Sequence, residues 1–445
     1  MKYRNKGLVL ALEGDEEDDV IVETPASEED LAEATAEVEA GSADVQDESV
    51  EIQDLDGAMN DASEGVDELE QIQDVMEESV ESGEGVSETA AEIAEIAVES
   101  IRRRLGIKRN KTAFPALESF VGRNSRLAST KIAVEAINID INGIWKSIQK
   151  AFHDLMERLV AFLKTLFSQT ASSIKAAEAL KAKVAGLDDS SVSEKELESR
   201  DIATAFYSGV RTDGETLAAI LENHLKLTKA AVESGRDIVA GAKDLGEGIK
   251  SLSLDETKLK SIVDSMTDGF DSITNKDLQK KFFSYTKSYV GPLVGGNGFA
   301  VETMIDETVG FKFTFIPLES KQHDTIKVPT LSLADITKTC DTVIELAKAT
   351  DDFKKNEGVL KDVGKNIDVI IGSVIKVAEL VNEGEGDKAK ETKDTIAHAK
   401  KMVDGLKSAI STVSAKIPAS NVQACKAALR YASLSAKQYS AAAAK

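Results

Sequence analysis

Between Lys6 and Arg102 the chain has no lysine or arginine, while aspartate and glutamate recur throughout the interval. A stretch so one-sided in charge buries too little apolar surface to offset its conformational entropy. It is therefore expected to be disordered, apart from transient helices around Val66–Val75 and Ala90–Ile101. Cysteine is scarce. Cys340 and Cys425 are the only two, which excludes a disulfide framework and marks both as small core residues. The four histidines, His153, His224, His323 and His398, have no partner at ligand spacing, and neither His-Glu-x-x-His nor Cys-x-x-Cys occurs. Metal catalysis has nothing to stand on, and no metal or cofactor is expected. With 6 prolines and 5% aromatics, long helices with aliphatic seams are favoured over a sandwich or barrel. Long apolar runs are missing as well: Leu8–Leu12 is too short for a signal peptide or a membrane span, so a soluble protein made in the cytoplasm is expected. Val294–Gly298 is glycine-rich but precedes a strand and lacks the lysine of a phosphate loop, so it reads as a turn. Carboxylates are too abundant for one pair to stand out as acid and base. No enzyme is read here.

What the sequence does have is a step in charge. Residues 14–118 hold 33 acids against 6 bases, a net of −27, whereas residues 119–445 hold 44 acids against 45 bases, a net of +1. Two near-identical words mark the edges of the acidic tract: Ala11-Leu12-Glu13-Gly14 and Ala116-Leu117-Glu118-Ser119. Small-x-Glu also occurs at Ala133-Val134-Glu135, Ala176-Ala177-Glu178 and Ala300-Val301-Glu302, so the coincidence with the charge step carries the inference, not the word. Just inside the second edge, Arg102, Arg103, Arg104, Lys108, Arg109 and Lys111 put six bases within ten positions. Alone they would read as a nucleic-acid patch; beside an acidic tract they read as a partner-docking or self-pairing element.

A small residue, any residue, glutamate and then a cut is the kind of site read by prohead proteases of large tailed bacteriophages. With the acidic insert between its two words, the chain resembles the internal virion proteins of phiKZ-like giant phages. Ser119-Phe120-Val121-Gly122-Arg123-Asn124-Ser125-Arg126-Leu127 and Ala133-Val134-Glu135-Ala136-Ile137 resemble the start of their mature forms. The likeness spans residues 1–165 and thins beyond. It implies a structural protein packaged inside the capsid, with cleavage after Glu13 and Glu118. The implied partners are the prohead protease, other capsid or internal head proteins, and packaged DNA without sequence specificity.

The body reads as mostly α. Ile141, Trp145, Ile148, Phe152, Leu155, Leu159, Phe162 and Leu166 follow 4-3-4-3-4-3-4 spacing, which predicts an amphipathic helix over 137–167, about 45 Å long at 1.5 Å per residue. A separate helix is expected over 170–185. Ser193 with Glu196 and Ser253 with Glu256 form capping-box patterns, Asp213 reads as an N-cap, and 276–290 reads as a helix stopped by Gly291-Pro292. Alternation over 299–304 and 309–315 predicts a hairpin, with a third strand at 325–328. Helices then run from Ser332 or Asp335, through Val363–Val381, from Asp387 to a stop at Pro418, and from Ser420 to Ala444. The expected organisation is a basic leader over 1–13, a disordered acidic propeptide over 14–118 with its basic patch at 102–111, a helical region over 119–292, a β-hairpin insertion over 293–330 and a helical region over 331–445. Together these make an elongated bundle of antiparallel helices with one small β insertion. Two other classes stay open at this point. One is a membrane-active or pore-forming protein using the 137–167 helix, although the mixed charge on its polar face weakens lipid attraction. The other is a coiled-coil adaptor with an acidic tail, and an oligomer is compatible with either.

Overall fold

The computed structural model describes residues 28–107, 114–206, 214–251, 255–274, 276, 286–304, 310–317, 327–383 and 387–440. Two long helices set its scale: α1 over Glu28–Glu81 and α3 over Arg123–Val184, with α2, Glu88–Arg104, between them. At 1.5 Å per residue the long pair run about 80 and 93 Å. The expected disorder of the acidic tract therefore does not hold over residues 28–104.

α3 is the spine. It merges the two helices expected over 137–167 and 170–185, because the seam continues through buried Gln169, Thr170 and Ser173 into Ala176, Ala177, Leu180 and Val184. Trp145, Ile148, Phe152, Leu155, Leu159 and Phe162 are all buried, each worth about 1.5–3 kcal/mol when fully removed from water. Among the described residues no helix is long and apolar enough to cross a membrane.

Around the spine stand α5 (Gly214–Lys250), α7 (Leu333–Asp351), α8 (Glu357–Glu383), α9 (Asp387–Ser411) and α10 (Ile417–Ala436). Ser332 caps α7 through Asp335 N–H, as read. The short α4 (Arg200–Ala205) is capped by Ser199, not Ser193, and α6 (Glu256–Thr267) by Asp255. Ser253 and Asp213 lie outside the described residues. Pro418 does not stop a helix. A π segment over Thr412–Lys416 joins α9 to α10, and its widened turn absorbs the hydrogen bond that proline cannot donate.

The strands β2 (Thr286–Leu293), β3 (Asn297–Met304) and β4 (Gly310–Pro317) form an antiparallel sheet in that order. The β3–β4 hairpin is as expected, with Phe299 opposite Phe315 and Val301 opposite Phe313. Residues 286–290, read as helix, are instead the edge strand, where Pro292 needs no partner for a missing N–H. The proposed third strand is β5, Lys327–Pro329, but it pairs with β1, Glu196–Glu198, away from the hairpin. On the other side, α9 covers β4: Gly405 lets Phe311 O approach within 2.7 Å of where a Cβ would sit, and Ser408 Oγ donates to Phe313 O at 3.0 Å. The phenylalanine face meets Phe270, whose ring centroid lies 5.2 Å from Phe299 and 5.1 Å from Phe313.

One buried polar network ties the body together. Val294 N–H donates to His224 Nε2 at 3.0 Å, so Nδ1 carries the proton and donates to Asn421 Oδ1 at 3.0 Å. Asn421 Nδ2 in turn donates to Thr228 and Thr350 Oγ1. Cys340 and Cys425 are free and buried, and burial pushes both thiols up to about 12.

Candidate functional site: the acidic hairpin and its junction

The seam of α1 obeys a seven-residue rule that composition conceals. Val38, Val45, Ile52, Met59 and Val66 recur every seventh position and are buried. The interleaved layers are Ser42, Ser49, Asp56, Ser63 and Glu70, the first four buried, so only half the seam is apolar. That half is what α1 lays along α3, antiparallel to it. Glu37 faces Lys175 at 4.0 Å, Thr165 Oγ1 donates to Glu48 Oε1 at 2.9 Å, and Glu51 pairs with Arg158. Gly41 makes room for Gln169, whose Oε1 lies 2.0 Å from where a Cβ would be and whose Nε2 donates to Val38 O at 2.8 Å.

The polar layers face α9 and α10. Lys416 Nζ lies 3.8 Å from Asp56, and Ser63 Oγ donates to Asp404 Oδ2 at 3.1 Å. Lys400 pairs with Glu70 and, at 3.6 Å, with Asp67. Gln423 Nε2 reaches Ser42 and Gln46. Burial raises the Glu70 carboxyl above its ordinary range, against the lowering effect of Lys400.

The basic patch is divided. Arg102 is buried and donates through Nε at 2.9 Å and Nη2 at 2.6 Å to Asp140 Oδ2 on α3, while Nη1 reaches Glu99 at 3.0 Å. Burial raises the Asp140 carboxyl even with this guanidinium beside it. Arg104, exposed, pairs with Glu68 on α1 at 2.7 Å, so it ties α2 to α1 while Arg102 ties α2 to α3. Arg103 is exposed, and Lys108, Arg109 and Lys111 lie outside the described residues.

Ala116, Leu117, Glu118 and Ser119 lie between the hairpin and α3. Phe114 and Phe120, both buried, stack at 6.3 Å. Between them the chain turns through a one-turn 3-10 helix, Leu117–Phe120, with Ser119 N–H donating to Ala116 O at 2.9 Å and Ser129 Oγ donating to Ser119 Oγ at 2.7 Å. Glu118 is exposed. The chain at this glutamate is a single short turn, not an extended segment. Glu135 and Glu178 are exposed too, but each sits inside the unbroken α3, where strand-like binding by a protease would require unwinding several turns. Ala11, Leu12, Glu13 and Gly14 lie outside the described residues. No cluster of His, Cys, Asp or Glu suited to a metal occurs among the described residues.

A family model described as phiKZ-like phage internal head proteins matches residues 26–434. No curated protein and no solved structure matches the chain.

Proposed function

The chain belongs to the phiKZ-like phage internal head proteins, and from that membership we propose that it is a structural component of the virion interior matured by cutting after Glu118, with a second cut after Glu13. The family places it inside the phage head, and the match begins just before α1 and runs through the junction, so the acidic hairpin is part of the shared unit. One observation carries the proposal. Glu118 is solvent-exposed in a single 3-10 turn at the boundary where the net charge changes from −27 to +1. Opening one such turn disrupts few contacts, whereas the other small-x-Glu words at Glu135 and Glu178 are locked in helix. A packaged genome is a dense polyanion, so an acidic hairpin suits an empty prohead and is repelled from a filled one. The prohead protease and neighbouring head proteins are the partners of this step.

Mass spectrometry of purified virions tests it. A mature N-terminus at Ser119 is expected, and Glu118→Gln should keep the acidic segment attached and lower the yield of filled heads. Chains that begin at Met1 or Gly14 inside DNA-filled particles would remove the proposal.

A further inference from the structure

Among the described residues, five ion pairs join α1 to the body, and in each the acid is on α1 and the base on the body: Glu37 with Lys175, Glu51 with Arg158, Asp56 with Lys416, and Asp67 and Glu70 with Lys400. Lys407, fully buried, lies 2.6 Å from Asp404, the carboxylate that accepts from Ser63 of α1. In an uninterrupted α-helix, Lys407 and Lys416 would point to opposite sides, since nine residues at about 100° each is half a turn out of phase. Lys416, at the end of the π segment Thr412–Lys416, nevertheless reaches Asp56 of α1 at 3.8 Å.

We propose that this covered face is a binding surface for the phosphate backbone of double-stranded DNA, and that α1 is a polyanion built into the precursor to occupy it. α1 holds 21 acids and no base over 54 residues. That is one negative charge per about 4 Å of helix axis, close to the phosphate spacing of about 3.4 Å along one DNA strand. The bases paired between Glu37 and Glu70 span roughly 50 Å at the helix rise, the length of about 15 base pairs. Among the groups named on this face, the bases Lys175, Arg158, Lys400, Lys407 and Lys416 outnumber the acids Asp404 and Asp140, and Asp140 loses Arg102 with the hairpin. The inference rests on the reading that α1 and α2 are detached from the body.

The assay supplies its own cut, so the two ideas fail separately. A site-specific protease sequence replaces Ala116–Ser119 in the full chain, and both pieces stay in the mixture with a labelled 20-bp duplex at 50–200 mM salt. Uncut chain should bind weakly. Cut chain should bind and release the acidic fragment on a sizing column, with log K falling against log salt at a slope of about −4.5 for five contacts, a roughly 500-fold loss across that range. Lys400→Gln with Lys407→Gln and Lys416→Gln should reduce the slope to about −1.8. If burial of Lys407 prevents that variant from folding, Lys400→Gln with Lys416→Gln should give about −2.7. A duplex that fails to displace the fragment, binding unchanged by the lysine substitutions, or a freed face that pairs with a second copy instead of DNA would each overturn the inference. Ser119 termini absent from virions would instead remove the cleavage reading, and with it this face's role in the particle, while the cut-chain assay still decides whether the face binds DNA.

Discussion

Arg102→Ala is the sharpest single perturbation of the hairpin. In the intact chain the guanidinium places two N–H donors on one Asp140 oxygen, at 2.9 and 2.6 Å, and both side chains are withdrawn from water. Removing the cation leaves a buried carboxylate without its counter-charge. Breaking a buried pair in this way costs about 3–5 kcal/mol, which is two to three and a half powers of ten in an equilibrium constant. The chain can limit the cost by letting α2 lift off α3 so that Asp140 rehydrates. The loss should therefore register first as faster amide exchange across α2 and as new proteolytic nicking between Ser82 and Val86, with a smaller fall in the global unfolding midpoint. Replacing both partners by apolar residues, Arg102→Met with Asp140→Leu, should restore protection to near the parent level because no charge is then left stranded. If Arg102→Ala leaves α2 exchange within threefold of the parent, or the double change is no better than the single, the pair does not hold the hairpin.

Other outcomes follow from the same geometry. Ile52→Asp puts an unpaired charge into the α1 seam and should expose the amides of α1 to exchange while the β2–β3–β4 sheet stays protected. Leu155→Ala in the spine should cost about 2–5 kcal/mol in urea unfolding. His224, buried, has its pKa lowered to about 4 from an ordinary 6.5; its contribution is therefore whole above pH 6.5 and is lost as pH falls toward 4, by about 3 kcal/mol. The raised carboxyls of Glu70 and Asp140 act in the opposite direction, since their native forms hold a proton more readily than the unfolded chain does. A urea-midpoint series from pH 7 to 4.5 should accordingly be shallower in His224→Gln than in the parent.

The body was largely legible because its helices bury large side chains at regular spacing: the Trp145–Phe162 stripe and the Phe299–Phe315 hairpin announce themselves. α1 was not, because Ser42, Ser49, Asp56, Ser63 and Glu70 fill every second layer of its seam. The overlooked signal was the strict sevenfold recurrence from Val38 to Val66. Acid-rich composition suggests disorder only when the acids lack bases to face, and those bases, Lys400 and Lys416, are more than 300 residues away in sequence. β2 was hidden by its burial on both faces, which erases the alternation that marks a strand. Pro418 misled because a proline's missing donor can be absorbed by a wider turn as well as by a helix end. Glu118 stands out as a candidate by its word and its position at the charge step. Its local conformation was not legible, since the Phe114–Phe120 stack that shapes the turn joins residues on both sides of the word.

The short connection through Phe120 keeps the acidic hairpin at a high effective concentration over the body. A tether of this kind typically holds its partner at a millimolar-range local concentration, so a hairpin that lifts off the intact chain returns before anything else arrives. On the proposed maturation, a cut at Glu118 would leave the contacts between α1 and α3 in place and remove only the tether. Re-association then depends on how many hairpins share the same volume. The proposed chemical step would be irreversible and local, while departure would be a reversible equilibrium governed by dilution, salt and competitors. A head protein matured in the proposed way would separate permission from action, with the protease setting the first and the contents of the capsid setting the second.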